Sequence, residues 1–249
     1  MGGVDFIGTP IYNGDMSRQK KERPSVMVNI LNEGTVSAGW ETQVFAWMQE
    51  KAKDYRFEIF FPTGRPIPDN RHKIVKKFLE GDYDYLVMLD DDNPCHNNIF
   101  DLLDLDLPVV GGVYPGRGKN GIMWLVYQLS EKDGKVLFKQ FPLDKREGLQ
   151  QVDALATGLM VIRRDVLEKM RKKKWKPFEE KFDEWGAIEY GDDMGFCMKC
   201  TELGIPIHAH FGYIGSHWKT MDLLWVANLV AYAAQTGKTS LPDDSTTSK

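Results

Sequence analysis

Three consecutive aspartates, Asp90, Asp91 and Asp92, directly follow the apolar run Leu86-Val87-Met88-Leu89. Carboxylates gathered at the end of a buried segment repel one another unless a cation stands between them. Oxygen ligands suit Mg2+ or Mn2+, which keep waters and take further oxygens from a substrate phosphate. Side chains alternate along an extended chain, so in a strand Asp90 and Asp92 point one way and Asp91 the other. The pattern predicts a metal–phosphate site at the carboxyl end of a strand, where open α/β sheets bind ligands. The plain alternative is a polar turn, since Asn93-Pro94 follows and such residues are common in turns.

A second acidic pair, Asp192-Asp193, lies in Glu189-Tyr190-Gly191-Asp192-Asp193, just before a helix expected to start near Met194. Acidic residues at a helix start are favoured by the dipole, so a cap competes with a catalytic role. His217, beside Gly215 in Ile214-Gly215-Ser216-His217-Trp218, offers an imidazole that could reach a metal. Cys197-x-x-Cys200 falls inside a helical pattern with no second such pair. It is expected to be two core residues rather than a zinc site.

Alternating strands and helices must hold these groups. Val26 to Leu31, Phe57 to Phe61, the aspartate strand and Pro108 to Val113 read as buried strands. Between them, residues 36–53 and Asp69 to Glu80 show helical spacing, with Asp69 as the expected cap of the second helix. This is the βαβ alternation of a parallel sheet. The second half is mixed: a hairpin around Glu131-Lys132-Asp133-Gly134, an apolar stretch Val152 to Ile162, and helices from Arg164, Met194 and Met221. Residues 1–24 read as a loose arm and 236–249 as a disordered tail.

The joint order of these motifs resembles the GT-A family of nucleotide-sugar-dependent glycosyltransferases, small phage-type members in particular. FLEGDYDYLVMLDDD and PVVGGVYPGR look like the nucleotide half, and VDALATGLMVIRRDVLEKM, EYGDDMGFCMKC and IGSHWK like the acceptor half. The resemblance implies one GT-A-like, Rossmann-like α/β domain over 25–235, with a mostly parallel central sheet and a mixed acceptor-side portion. Its nucleotide half would span 25–118 and its acceptor half 119–235. Asp90 and Asp92 would be the DXD pair, with Asp91 beside the donor and His217 completing the shell of Mn2+ or Mg2+. Asn32, Glu33, Asn70 and Arg71 would meet the nucleotide. Asp193, or Asp192, would be the acceptor-side carboxylate; the family commonly has Glu-Asp where this chain has Asp-Asp. Arg117, in the glycine-containing loop Tyr114 to Gly118, would close on a phosphate, and Trp185 leads Trp124 and Trp218 as a stacking candidate.

The implied reaction moves a sugar from a nucleotide-sugar donor, UDP- or GDP-linked, to a hydroxyl on a glycan, a lipid or a modified DNA base. A nucleotidyltransferase is the enzymatic alternative, although Leu31-Asn32-Glu33-Gly34-Thr35 lacks a basic, glycine-rich phosphate loop. A catalytically idle sugar- or nucleic-acid-binding domain is the other. The net charge of −4 gives no global attraction to nucleic acid or anionic membrane, and the basic residues concentrate at Arg163-Arg164 and Arg171 to Lys176. No apolar run is long enough for a transmembrane helix, the first ten residues lack a secretory pattern, and three cysteines make no complete disulfide framework. The expected setting is cytoplasmic, the host cytoplasm if the chain is phage-encoded.

Overall fold

The structure, a computed structural model, describes residues 23–32, 37–62, 67–118, 121–132, 135–219 and 223–237. Its first half follows the expected alternation. Strand β1 (Ser25–Leu31) is buried along its whole length, α1 (Ala38–Lys51) follows, and β2 (Arg56–Phe60) lies half-exposed at the sheet edge. Helix α2 (Ile67–Glu80) starts two residues earlier than its periodicity suggests. Pro68 is welcome in a first turn because its missing N–H has no partner there anyway. Asp69 therefore lies inside the first turn instead of capping it. Strand β3 (Tyr85–Asp90) ends on the first aspartate, a 3-10 helix covers Ile99–Leu105, and β4 (Val109–Val113) is buried throughout.

Short strands then follow: β5 (Pro115–Arg117), β6 (Ile122–Trp124), β7 (Val126–Lys132), β8 (Lys135–Gln140), β9 (Leu149–Val152) and β10 (Ala154–Leu155). Strand β11 (Leu159–Arg163) runs into α3 (Arg164–Lys172). The hairpin β12 (Lys181–Phe182) and β13 (Ile188–Tyr190) leads into α4 (Asp192–Glu202). Last come β14 (Ile207–Ile214) and α5 (Leu223–Thr236).

Among the described residues, seven strands form the central sheet in the order β2-β1-β3-β11-β4-β14-β9. The nucleotide half is parallel, as β1 pairs that way with both β2 and β3. The sheet as a whole is mixed rather than mostly parallel, because β11 from the second half inserts antiparallel between β3 and β4. Strand β14 adds a parallel pairing to β4 and an antiparallel one to β9. The insertion needs close backbones: a Cβ at Gly111 would stand 2.5 Å from the Leu159 carbonyl oxygen.

Alternation sends β1 and β3 side chains into two cores. Val26, Val28, Ile30, Val87 and Leu89 pack with α1 residues Trp40, Val44 and Trp47 and with the 3-10 helix. Met27, Leu31, Leu86 and Met88 pack on the other face with α2, α3 and α4. Asp90 continues the parity of Leu86 and Met88, so its carboxylate emerges on the α2–α4 side. On α2 the buried face reads Asn70, Arg71, Ile74, Val75, Phe78. The apolar stripe thus runs on into two polar residues at the helix start, which it carries to the same end of the sheet.

Candidate active site

Beyond β3 the chain is fastened to the segment that follows β14. Trp218 N–H donates to the Asp92 carbonyl (2.8 Å), Ser216 N–H to the Pro94 carbonyl (2.9 Å), and the Asn93 side-chain amide to the Ser216 carbonyl (3.1 Å). Cys95 and Gly215 form an antiparallel bridge. This zipper brings His217 to Asp92 across more than a hundred residues of chain: Nε2 lies 3.5 Å from Asp92 Oδ2. His217 Nδ1 lies 2.7 Å from the Pro115 carbonyl oxygen, which can only accept, so Nδ1 carries the proton. The ring also meets Tyr114 edge-on, with centroids 5.4 Å apart.

A cavity of about 200 Å³ opens at this point, and Asp90, Asp91, Asp92, Asp193, Arg71 and His217 all line it. Arg71 is buried, with NH1 2.8 Å from Asp192 Oδ2 and NH2 3.9 Å from Asp90 Oδ2. Its guanidinium lies over the Phe178 ring, 5.7 Å from the centroid. It therefore joins the two acidic clusters that lie a hundred residues apart in sequence. Arg71, expected to meet the nucleotide, lines the cavity and touches this pair of carboxylates. Burial favours a neutral guanidinium, but Asp90, Asp192 and Asp193 outweigh it and hold Arg71 charged.

The two acids at the start of α4 are separated in role by helix geometry. Both lie in the first turn, after Gly191, two residues earlier than expected from Met194. Asp192 turns inward to Arg71, while Asp193 lines the cavity and accepts from Met194 N–H at 2.9 Å. Burial raises the Asp193 carboxyl above the usual carboxylate range; Asp192 adds to this and Arg71 opposes it.

Asp90 is in the most strained electrostatic position. Burial pushes its carboxyl up to about 6; Arg71 opposes this, and Asp92, Asp193 and Asp91 reinforce it. Folding must therefore hold a proton, or tolerate a charge, that the unfolded chain does not. Below the unfolded value of 3.8 both states are protonated and nothing is lost. Stability falls as pH rises from there through about 6. The loss at pH 7.5 is at most about 3 kcal/mol. Asp90→Asn is expected to raise the metal-free melting temperature at pH 7.5, with the gain shrinking toward pH 4. A gain of equal size at both pH values in calorimetry would contradict this.

Asp92 behaves oppositely. Burial opposes its charge, but His217 and the Lys219 ammonium, which is ion-paired to Oδ2, outweigh that and hold it below the usual range.

Gly158, just ahead of β11, is what lets these groups meet. Its carbonyl accepts from Asp90 N–H at 3.0 Å, and its own N–H donates to the Tyr114 hydroxyl at 2.9 Å. A Cβ there would lie 2.4 Å from Asn93 Oδ1, 2.6 Å from the Tyr114 hydroxyl and 2.8 Å from Asp90 Oδ2. Gly158→Ala is expected to cost about 1–3 kcal/mol of stability. It should also displace Asp90, so ligand binding in the cavity should fall along with the unfolding midpoint in urea. Binding at wild-type strength would contradict the packing.

The remaining expectations divide. Asn32 is buried and lines the cavity, its amide donating to the Ile30 carbonyl at 3.1 Å. Glu33 lies outside the described residues. Asn70 is buried on α2 but faces Lys73 (3.5 Å) rather than the cavity. Arg117 is exposed on β5, which pairs with β6, so Pro115 to Arg117 is strand, and Arg117 does not line the cavity. Trp185 is 87% exposed and Trp218 54%, while Trp124 is half-buried against the core; none lines the cavity. Cys197 and Cys200 are buried free thiols, as expected. Sequence reasoning missed Asn93, Tyr114, Gly158 and Lys219. Asn93 and Lys219 were within reach of it, since each lies one or two residues from a chosen ligand.

No protein-family model matches the chain, and no curated protein sequence matches it. Among solved structures it is similar to A197 from STIV, with a TM-score of 0.50 and 18% identity over 79% of this chain and 86% of that one. It is also similar to GalNAc-T7, solved with UDP, GalNAc and Mn2+, at a TM-score of 0.46 and 12% identity over 80% of this chain and 44% of that one. A third is the nucleoside-diphosphate-sugar pyrophosphorylase from Vibrio cholerae RC9, at a TM-score of 0.32 and 16% identity, covering 77% of this chain and 73% of that one. At such identities the likeness speaks for the fold alone: a GT-A-like α/β fold with a mixed seven-stranded sheet.

Proposed function

We propose that this protein moves a sugar from a nucleotide-sugar donor to a hydroxyl acceptor, aided by Mn2+ or Mg2+ near Asp90, Asp92 and His217. The observation that carries the reading is convergence. Three carboxylates at the end of β3, an imidazole behind β14 and a carboxylate at the start of α4 line one cavity. Each reached it by a different part of the fold.

This chain's residues suit a divalent cation. His217 has Nδ1 committed to the Pro115 carbonyl, which leaves Nε2 toward Asp92; metal-binding histidines are commonly oriented in this way. Asp92 already attracts one cation, the Lys219 ammonium. Among the described residues no three His, Cys, Asp or Glu side chains are gathered into a shell. An ion here would rest on few protein ligands and take oxygens from water and the donor diphosphate, as Mg2+ commonly does. Its chemistry would be Lewis-acid stabilisation of that leaving group.

The chain's own groups do the rest. In an inverting displacement the acceptor oxygen bonds to the anomeric carbon, the bond from that carbon to the diphosphate breaks, and the hydroxyl proton passes to Asp193. A carboxylate raised by burial is a stronger base for that proton. Arg71 holds Asp192 and so fixes the helix start from which Asp193 projects.

Thermal unfolding of the wild type and Asp92→Ala tests the donor site, using UDP, GDP, CMP and dTDP with and without Mn2+. A ligand bound only by the native state raises the midpoint by mass action. The expected result is a metal-dependent rise with one nucleotide, UDP or GDP, that disappears in Asp92→Ala. No rise with any nucleotide in the folded wild type would remove the main support for the reading.

A further inference from the structure

Two of the side chains that line the cavity are cations, Arg71 and Lys219, and they differ in freedom. Arg71 is buried, paired with Asp192 and set over the Phe178 ring. Lys219 has a half-exposed side chain, and its ammonium is paired with Asp92 Oδ2. A compact charge on a flexible four-carbon stem can leave one partner for another where a planar, clamped guanidinium cannot.

The backbone puts Lys219 in this position. The bond from Trp218 N–H to the Asp92 carbonyl, at 2.8 Å, holds the segment beside Asp92. His217 and Lys219 flank Trp218 and both line the cavity, while Trp218 does not and is 54% exposed. Both flanking side chains then reach one atom. His217 Nε2 lies 3.5 Å from Asp92 Oδ2, and the Lys219 ammonium pairs with that same oxygen. An ordinary surface ion pair is well hydrated and contributes little. Here the carboxylate is only 27% exposed at its side chain and shares its oxygen with an imidazole.

That shared oxygen sets up a competition. A divalent cation held by Asp92 and His217 meets an ammonium already on its ligand. Like charges at such range repel strongly, and a partly buried site screens them poorly. Uptake of the metal alone therefore exchanges one cation for another, with little net gain. A ligand that carries phosphates changes the balance, because its negative charge can serve both cations in one cavity. Metal and ligand then favour each other, and by linkage the effect is reciprocal.

We infer that Lys219 is a resident counter-ion of Asp92 that a divalent cation must displace, so that metal and a diphosphate-bearing ligand bind strongly together and weakly apart. The inference rests on the proposed metal site near Asp92 and His217, and not on the sugar transfer that would follow.

Titration with Mn2+ followed by electron paramagnetic resonance, in which the free ion gives the signal, tests this on the full chain without recourse to turnover. Wild type, Lys219→Met and Lys219→Arg are compared, each alone and with UDP or GDP. Lys219→Met is expected to bind Mn2+ alone about fivefold or more tightly than wild type, because nothing has to be displaced. Lys219→Arg, which keeps the charge, should bind it no more tightly than wild type. The nucleoside diphosphate should tighten Mn2+ binding by a factor about fivefold larger in wild type than in Lys219→Met. Equal Mn2+ binding by wild type and Lys219→Met would overturn the inference and leave the metal site standing. So would an equal gain in Lys219→Met and Lys219→Arg, which would trace the effect to shape rather than charge. Nucleoside diphosphate bound as well without Mn2+ as with it, and lost in Lys219→Met, would overturn it by making the ammonium the permanent cation. No Mn2+ bound by any of the three proteins, with or without nucleotide, would sink the proposed metal site and the inference with it.

Discussion

Asp193→Asn is expected to lower turnover of the best donor–acceptor pair by about 10²- to 10⁴-fold, the contribution typical of a positioned general base. Donor affinity should move by no more than about twofold, because the amide keeps the volume of the carboxylate and loses only its basicity. The expectation rests on orientation. Of the two acids that open α4, Asp192 is tied to the Arg71 guanidinium, and Asp193 faces the cavity with its carboxyl raised by burial. Asp192→Asn should act differently, by loosening Arg71 and lowering stability more than it lowers turnover at saturating substrate. Steady-state kinetics beside urea unfolding separates the two. Wild-type turnover in Asp193→Asn with loss in Asp192→Asn would exchange their roles.

Arg71→Met should be the most destabilising substitution at the site. Methionine replaces the aliphatic stem and keeps a contact with Phe178, but removes the positive charge. Asp192 then loses its 2.8 Å partner while buried, and Asp90 and Asp193 lose the charge that opposes their mutual repulsion. Removing one partner of a buried pair typically costs about 3–5 kcal/mol, mostly through the charge left behind. The sign with pH follows. Without Arg71 the carboxyls of Asp90 and Asp193 rise further in the folded state, so the deficit should grow as pH increases from about 5 to 8 and shrink under acid conditions. Urea unfolding across that range measures it, and a deficit independent of pH would show that packing rather than charge is at stake. Arg71→Lys should recover part of the loss, since an ammonium restores charge without the planar fork.

How much of this was legible in the chain depends on the range of the forces involved. The buried strands β1, β3 and β4, the helices between them and the parity of Asp90 follow from local pattern, because two-sided burial demands apolar runs. The position of β11 between β3 and β4 does not, since pairing is decided by surfaces far apart in sequence. The first-turn position of Asp69 follows from Pro68, whose preference a periodicity count overlooks. Among site residues, Asp90, Asp92, His217 and Asp193 are visible through the joint order of their motifs, since each type alone is ordinary at a strand or helix end. The inward turn of Asp192 is not, because a one-residue step around a helix is invisible in a string of two identical letters. The pairing of Arg117 is equally hidden: a glycine-flanked arginine reads as a loop, and β6 pairs its backbone into a strand. Gly158 and Asn93 matter through close approach and zipper contacts that only the assembled chain displays.

The proposed transfer requires the cavity to cleave a nucleotide-sugar at the sugar–phosphate bond. Phosphorus NMR on the protein with UDP- and GDP-sugars and Mn2+, with and without pyrophosphate, tests it most directly. The expected phosphorus product is a nucleoside diphosphate, formed slowly by transfer to water, formed without need of pyrophosphate, and lost in Asp92→Ala. Nucleoside triphosphate and sugar 1-phosphate, formed only when pyrophosphate is added, would contradict it and identify a nucleotidyltransferase.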